Sequence, residues 1–403
     1  MQLRIPGPTP LPDEVIAAMS RQMISHRSAE FHELMREVTE RLRHCFQTEG
    51  DVLVFPGAGT GGLEAAIVNL FSPGDTVIVV TVGAFGDRFA DIAVSFGLDV
   101  VRVQGPWGQA ADVAALQQVL ERTPRVRGVL VTHNETSTGV QNDVQSIART
   151  LTQYGRAPGA EDAPLLVVDA ISSLGAVHLP VDEWGIDVAI TASQKAWMAP
   201  PGLTMLSVSE RAWAASRKAR LPRFYWDFAE ARRFLQRWET PYTPAVSLLY
   251  GLQASLRLIM DEGLPAVFAR HERVRDYVRA GARRLGLPPF AADHVASRTV
   301  TALHVPPPLT ARHITQAMRQ HGVTIAGGQG AYEHSVIRIG HMGFVCEDDM
   351  DVVLAALRDV LASTTGAQAG AEPGARTGDD ETGAGHRTGG LTQGQALPVR
   401  PVL

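Results

Sequence analysis

Apolar residues recur at helical spacing through Phe31, Leu34, Met35, Val38, Leu42 and Cys45, which predicts an amphipathic helix with its cysteine in the core. Short unbroken apolar runs follow at 51–55, 76–82, 126–132, 165–168, 188–191 and 203–208. They are β-branched and do not alternate, as strands buried on both faces should be. Helical patterns at 63–71, 88–96 and 112–122 separate several of them. Strand and helix in alternation predict an α/β fold, with a mostly parallel central sheet flanked by helices. After Pro244 the pattern changes to long helical stretches at 247–260 and 264–285. A smaller α+β mixture follows, with strands near 300–305 and 336–339 and helices near 314–321 and 350–361.

These patterns divide the chain into an N-terminal arm (1–14), a large domain (15–262), a small C-terminal domain (263–362) and a tail (363–403). The arm carries Pro6, Pro8, Pro10 and Pro12, and proline's fixed φ keeps it extended. The tail is rich in Gly, Ala and Thr, has no aromatic residue and shows no period, so it is expected to be disordered.

Composition narrows the function. The 403 residues are 45% hydrophobic, enough for a large core, and 37 basic against 42 acidic side chains leave a net charge of -5. No excess of positive charge is available for phosphate backbones, so nucleic acid is not an expected partner. No apolar run approaches the roughly 18 residues needed to cross a bilayer, and the N-terminus has no secretory pattern. A cytoplasmic protein without a membrane partner is expected. The two cysteines, Cys45 and Cys346, lie in different regions and predict neither a disulfide framework nor a metal cluster. His26, His133, His178 and His341 have no metal-ligand spacing, so no metal site is expected.

Three segments carry chemistry. In Ser193-Gln194-Lys195-Ala196, a lysine closely follows a buried strand. An amine desolvated there would have a lowered pKa and suit a Schiff base, although a surface lysine reads equally well at this point. Asp169 closes the apolar run 165–168, the end of a strand where α/β sheets bind ligands. It could hold a pyridine nitrogen protonated or simply cap a turn. The pair is more informative than either member, because pyridoxal phosphate chemistry needs both an imine lysine and a pyridinium partner. Phe55-Pro56-Gly57-Ala58-Gly59-Thr60-Gly61-Gly62 is a glycine-rich turn into a helix, whose free N–H groups and positive end would cradle a phosphate. It also fits G-x-G-x-x-G, but the next strand ends Val80-Thr81-Val82-Gly83 without the acid that a dinucleotide's ribose requires. Arg338 stands alone in the apolar strand Val336-Ile337-Arg338-Ile339-Gly340, where its fork could bind a carboxylate or a structural acid.

With Pro6-Gly7-Pro8-Thr9-Pro10, Glu135-Thr136-Ser137-Thr138-Gly139, Ala199-Pro200-Pro201-Gly202 and Thr240-Pro241-Tyr242-Thr243-Pro244, these motifs make the chain resemble a class V, fold-type I pyridoxal-phosphate aminotransferase of the alanine–glyoxylate and serine–pyruvate group. The resemblance implies that Lys195 carries the cofactor and then moves the substrate proton, while Asp169 pairs with the pyridine nitrogen. It implies phosphate contacts from Ala58, Gly59, Thr60 and Gln194, with Thr243 reaching in from the second copy of a homodimer. Thr136 would contact the ring hydroxyl. Phe85 takes the stacking position, where some members have tryptophan. Arg338 would hold the substrate carboxylate, with Gly7 and the rest of the Pro6-to-Thr9 arm closing over it. The implied reaction moves the amino group of a small L-amino acid (alanine, serine or aspartate) to glyoxylate or pyruvate, the two substrates binding in turn. Two alternatives stand beside it. A cysteine desulfurase-like lyase needs a mobile cysteine and a histidine before the lysine, where this chain has Gln194. An NAD-binding dehydrogenase needs the missing ribose acid.

Overall fold

The unbroken apolar runs have no polar face to offer water, so they are stable only as strands covered on both sides. The computed structural model, which describes residues 1–155 and 164–369 and side chains as far as residue 363, shows how this is met. In chain order the first elements are β1 (Gln2–Leu3), α1 (Asp13–Met19), α2 (Ala29–Phe46), β2 (Asp51–Gly57), α3 (Gly59–Leu70), β3 (Thr76–Thr81), α4 (Ala84–Ser95) and β4 (Asp99–Gln104). Next are α5 (Val113–Arg122), β5 (Val126–Thr132), β6 (Asn134–Glu135), β7 (Val140–Gln141), α6 (Val144–Gly155), β8 (Leu165–Asp169), β9 (Val188–Ala192) and β10 (Gly202–Val208). Helices α7 (Glu210–Ser216), α8 (Phe228–Leu235), α9 (Val246–Glu262) and α10 (Leu264–Arg284) lead to β11 (Val300–His304) and α11 (Ala311–Gln320). The last are β12 (Val323–Thr324), β13 (Ala326–Gly327), β14 (Val336–Gly340) and α12 (Glu347–Ala369). Helix α12 thus runs past Ser363, and the rest of the expected tail lies outside the described residues.

Seven strands form the main sheet in the order β2-β10-β9-β8-β5-β3-β4, with β10 antiparallel to both its neighbours and the other pairs parallel. The two faces are visible within one strand. Ile78 and Val80 of β3 join a core with Phe31, Leu42 and Cys45, while Val77 and Val79 join another with Leu63 and Phe89. All five residues of β8 are buried. Its four apolar residues each contribute about 1.5–3 kcal/mol on burial, enough to hold a costly carboxylate, Asp169, at the strand's end. Strand β4 was not among the expected runs because it is an edge strand with polar residues at Asp99, Arg102 and Gln104. Arg102 instead pairs with Asp87 and Asp91 of α4.

A second, three-stranded antiparallel sheet, β11-β14-β13, packs with α10, α11 and α12 around Val274, Ile314, Ile337, Ile339 and Leu357. Residues Met1–Ala362 form one compact unit. The first residues of the chain are tied down within it. Strand β1 lies parallel to β12, the Arg4 N–H donates to Thr324 O (2.8 Å), and Arg4 O accepts the Gly340 N–H (2.7 Å). The Arg4 guanidinium meets Asp349 at 2.6 Å.

This close approach depends on Gly340 having no side chain, since a Cβ there would lie 2.1 Å from Ile5 O. Backbone cannot give way as a flexible side chain can. Gly340→Ala should therefore lower stability in urea by about 1–3 kcal/mol and speed tryptic cleavage after Arg4; an unchanged midpoint and cleavage rate would contradict this account of the arm.

Candidate active site

The parallel strands β3, β5, β8 and β9, with β2 running the same way, deliver their C-terminal ends to one edge of the sheet. That edge is where open α/β sheets place their ligand crevice. The cavity there encloses about 550 Å³ of empty space, part of it open to solvent. Ala58, Gly59 and Thr60 reach it from the β2–α3 turn, Phe85 from the first turn of α4, and Thr136 from the turn after β6. Asp169 ends β8, while Gln194 and Lys195 follow β9. Eight residues expected from the sequence thus line one cavity.

Lys195 faces the cavity yet lies deep in the protein. Its Nζ donates to Pro6 O, and its backbone oxygen accepts from Thr9 Oγ1 at 3.0 Å. The expected arm residue Gly7 is pressed against it with φ +109°, so close that a Cβ would lie 2.8 Å from Nζ. Burial, reinforced by the nearby charges of Arg338 and Arg88 and opposed by Asp169, pushes the Lys195 amine down to about 8. Asp169 is fully buried. It accepts the Ile171 N–H at 3.0 Å and a long contact from Thr132 Oγ1 at 3.5 Å. Burial, reinforced by the charge of Glu135, pushes its carboxyl up to about 7. A cation arriving in the cavity would return this carboxyl to its ionised form.

Helix α3 opens toward the cavity at Ala58, which supplies no side-chain cap, so its first N–H groups lack the usual partner. The neighbouring glycines serve packing as much as any ligand. A Cβ on Gly57 or Gly61 would strike the Trp226 ring at 2.8 or 2.9 Å, and one on Gly62 would lie 2.3 Å from Thr204 Oγ1. Two buried acceptors of cavity residues, Gln194 Oε1 and Asn134 Oδ1, have no hydrogen-bond partner among the described residues.

Arg338 lies buried on β14, with Nε donating to Gly327 O (2.7 Å) and Nη1 to Thr136 O (3.2 Å). Burial, partly offset by Glu135, lowers it to about 10. Thr243 is not brought to this cavity. It lines a separate apolar one with Pro241, Tyr242 and Tyr225. Sequence reasoning missed Arg88, Asn134 and Ser172, which also line the cavity. Arg88 follows Phe85 by one helical turn and its guanidinium sits 4.9 Å from the Phe85 ring centroid, a spacing that the sequence does carry.

Two of the histidines are structural. His133 and His341 are buried, bonded to Ser173 and Thr301, and pushed down to about 3 by burial. No three His, Cys, Asp or Glu side chains among the described residues are placed to share a metal ion. Trp197 is core, stacked on Phe46 with its indole N–H on Thr191. Cys45 is buried too, its thiol pushed up to about 12, which does not suit the mobile nucleophile of a desulfurase.

The Aminotransferase class-V family model matches residues 3–353. The chain belongs to the class-V aminotransferases. Among relatives of this family, the chain is 41% identical to the soluble hydrogenase small subunit of a Synechococcus species, over 89% of this chain and 92% of that one. It is 39% identical to L-aspartate–glyoxylate aminotransferase of Paracoccus denitrificans, over 84% and 85%. The crystal structure of alanine–glyoxylate aminotransferase from a Nostoc species superimposes with a TM-score of 0.84 at 30% identity, covering 89% of this chain and 94% of that one. The class-V chain therefore has the fold-type I architecture, and aminotransferase is its family activity.

The chain has only two lysines, Lys195 and the exposed Lys218. Imine formation between a small aldehyde and the apoprotein, read by mass spectrometry on the Lys195 peptide, should be half-maximal near pH 8; a midpoint near the ordinary 10.5 would contradict the desolvated amine.

Proposed function

We propose that this class-V protein is a pyridoxal-phosphate-dependent transaminase. It takes the amino group of a small L-amino acid, alanine, serine or aspartate, and passes it to glyoxylate or pyruvate. The observation that carries the reading is the union, in one cavity, of a desolvated lysine, a buried carboxyl lacking a full cationic partner and an uncapped helix N-terminus. Each would be a cost without a ligand; together they match an aldehyde, a pyridine nitrogen and a phosphate.

Pyridoxal phosphate, when bound, supplies a ring that withdraws the electrons left on the substrate Cα. The chain's own residues do the rest. The amides of Gly59 and Thr60 at the start of α3, together with Ala58 and Gln194, bind the phosphate. Asp169, ionised by its new partner, keeps the proton on the pyridine nitrogen, and Thr136 bonds the ring hydroxyl. Phe85 stacks on the ring face. Arg338 offers its fork to the substrate carboxylate. Lys195 Nζ, pushed down to about 8, would hold the cofactor and, once displaced from it by the substrate amine, would be free to accept the proton of the substrate Cα. Pro6 and Gly7 cover that amine and exclude water. Donor and acceptor each carry an α-carboxylate, so the two would use the Arg338 site in turn.

Glyoxylate as the acceptor is supported by the names of the Paracoccus relative and the Nostoc structure. The same reading includes a cytoplasmic homodimer in which Thr243 of each copy completes the phosphate site of the other; in its own chain Thr243 stands away from Lys195.

Purified protein should show a visible absorbance band that borohydride abolishes, and Lys195→Ala should lower turnover by at least about 10²-fold. A donor panel of alanine, serine and aspartate against glyoxylate, pyruvate and 2-oxoglutarate reads the specificity. Absence of the band, or full turnover in the variant, would overturn the proposal.

A further inference from the structure

Glu135 is fully buried in β6, close to the cavity that Phe85 and Thr136 line, and the reaction outlined above assigns it nothing. Its two carboxylate oxygens serve two different elements. Oε2 accepts the N–H groups of Phe85 (3.0 Å) and Gly86 (3.1 Å), in the first turn of α4. Oε1 accepts the Ser137 N–H (3.1 Å) and the Ser137 hydroxyl (2.5 Å). The same hydroxyl oxygen accepts the Ala84 N–H at 3.1 Å. Between them, Glu135 and Ser137 satisfy the opening donors of a helix whose own N-cap residue, Gly83, has no side chain to do so. Gly83 also makes the approach possible, since a Cβ there would lie 2.5 Å from the Glu135 side chain and from Ser137 Oγ.

The backbone of Glu135 fixes the other side. Its carbonyl oxygen accepts the Gly139 N–H (2.9 Å) and closes the turn that holds Thr136, and Thr136 O accepts Nη1 of Arg338 at 3.2 Å. The Glu135 carboxylate is also the charge that offsets the burial of Arg338. One residue therefore connects the helix turn carrying Phe85 to the turn on which Arg338 rests. We propose that Glu135 is a positioning residue that sets the Phe85 ring and the Arg338 guanidinium in register across the Lys195 cavity. The inference rests on the proposed transaminase reading for the roles of those two residues, but its geometry does not.

The chemistry is specific to a carboxylate. All four donors point at acceptor-only oxygens, whereas a glutamine amide has one acceptor and one donor end. Glu135→Gln must leave either the Phe85 and Gly86 amides or the Ser137 amide facing an NH₂ group. A buried donor left so weakens what it supports by about tenfold.

The test uses the full chain as parent, Glu135→Gln, Phe85→Ala and the double variant. Hydrogen exchange of the amides of Ala84, Phe85 and Gly86, measured on the apoprotein, should quicken about tenfold in Glu135→Gln; an unchanged rate overturns the proposal whatever the cofactor does. Titration with pyridoxal phosphate should show an affinity about tenfold weaker, with diminished visible circular dichroism, and KM for the 2-oxo acid should rise while the far-ultraviolet spectrum stays that of the parent. In the Phe85→Ala background the same substitution should change cofactor affinity by less than about threefold, because the ring it positions is gone. An affinity and visible spectrum within about twofold of the parent, or a full additive loss in the double variant, overturns the proposal. Should Glu135→Gln be insoluble, Ser137→Ala, which removes the hydroxyl bridge to the Ala84 amide, is held to the same criteria. A parent that binds no pyridoxal phosphate but whose Glu135→Gln variant still exchanges faster would defeat the transaminase reading and leave the structural hold of Glu135 standing.

Discussion

Keeping an amine dry is the constraint on which the rest of the molecule depends. A lysine loses its charge well below its ordinary pH when it is taken out of water, and Lys195 is taken out by the ends of core strands below it and the Pro6-Gly7 backbone above it. The covering backbone comes from the start of the chain, so it must be anchored elsewhere. That anchor is the C-terminal part of the chain: β1 pairs with β12, and Arg4 is held between Thr324, Gly340 and Asp349. Arg338 sits in β14, the strand whose Gly340 N–H donates to Arg4 O. Closing the arm and presenting the guanidinium are therefore parts of one packing problem.

A dry site raises the cost of every charge in it, and the cavity region sets acids against bases. Lys195 and Arg338 face Asp169 and Glu135, all held in buried or nearly buried positions, and the more exposed Arg88 adds a third base to the cavity lining. Burial shifts each of the four toward its neutral form. Asp169 and Lys195 oppose each other's shift, Glu135 opposes that of Arg338, and hydrogen bonds from Ser137, Phe85 and Gly86 oppose that of Glu135, without cancelling them. What is left over is the capacity of the site to respond to a ligand that brings its own positive ring nitrogen and negative phosphate.

Much of this was legible in the chain. Lys195 and Asp169 stand at the ends of apolar runs long enough to be strands, and order along the chain was sufficient to place both at one sheet edge. Strand β4 was not legible, because an edge strand carries polar residues such as Arg102 that break the apolar pattern. Nor was the double use of the glycines between Gly57 and Gly62, since Trp226 and Thr204, which make the close contacts, are remote in sequence. The Glu135-Thr136-Ser137-Thr138-Gly139 motif was visible as a family signature. Its physical content, a carboxylate shared between two helix-turn amides and a serine, needed the tertiary structure. Thr243 shows the same limit from the other side: its own chain places it in a different cavity, so the role proposed for it would need a second copy.

One particular amine is proposed to hold the cofactor, and a chain with only two lysines allows an unambiguous test. Native protein saturated with pyridoxal phosphate is reduced with borohydride, digested and mapped by mass spectrometry. A pyridoxyl group is expected on the peptide containing Lys195 and none on the peptide containing Lys218. Label on Lys218 or on the N-terminal amine, with Lys195 unmodified, would contradict it.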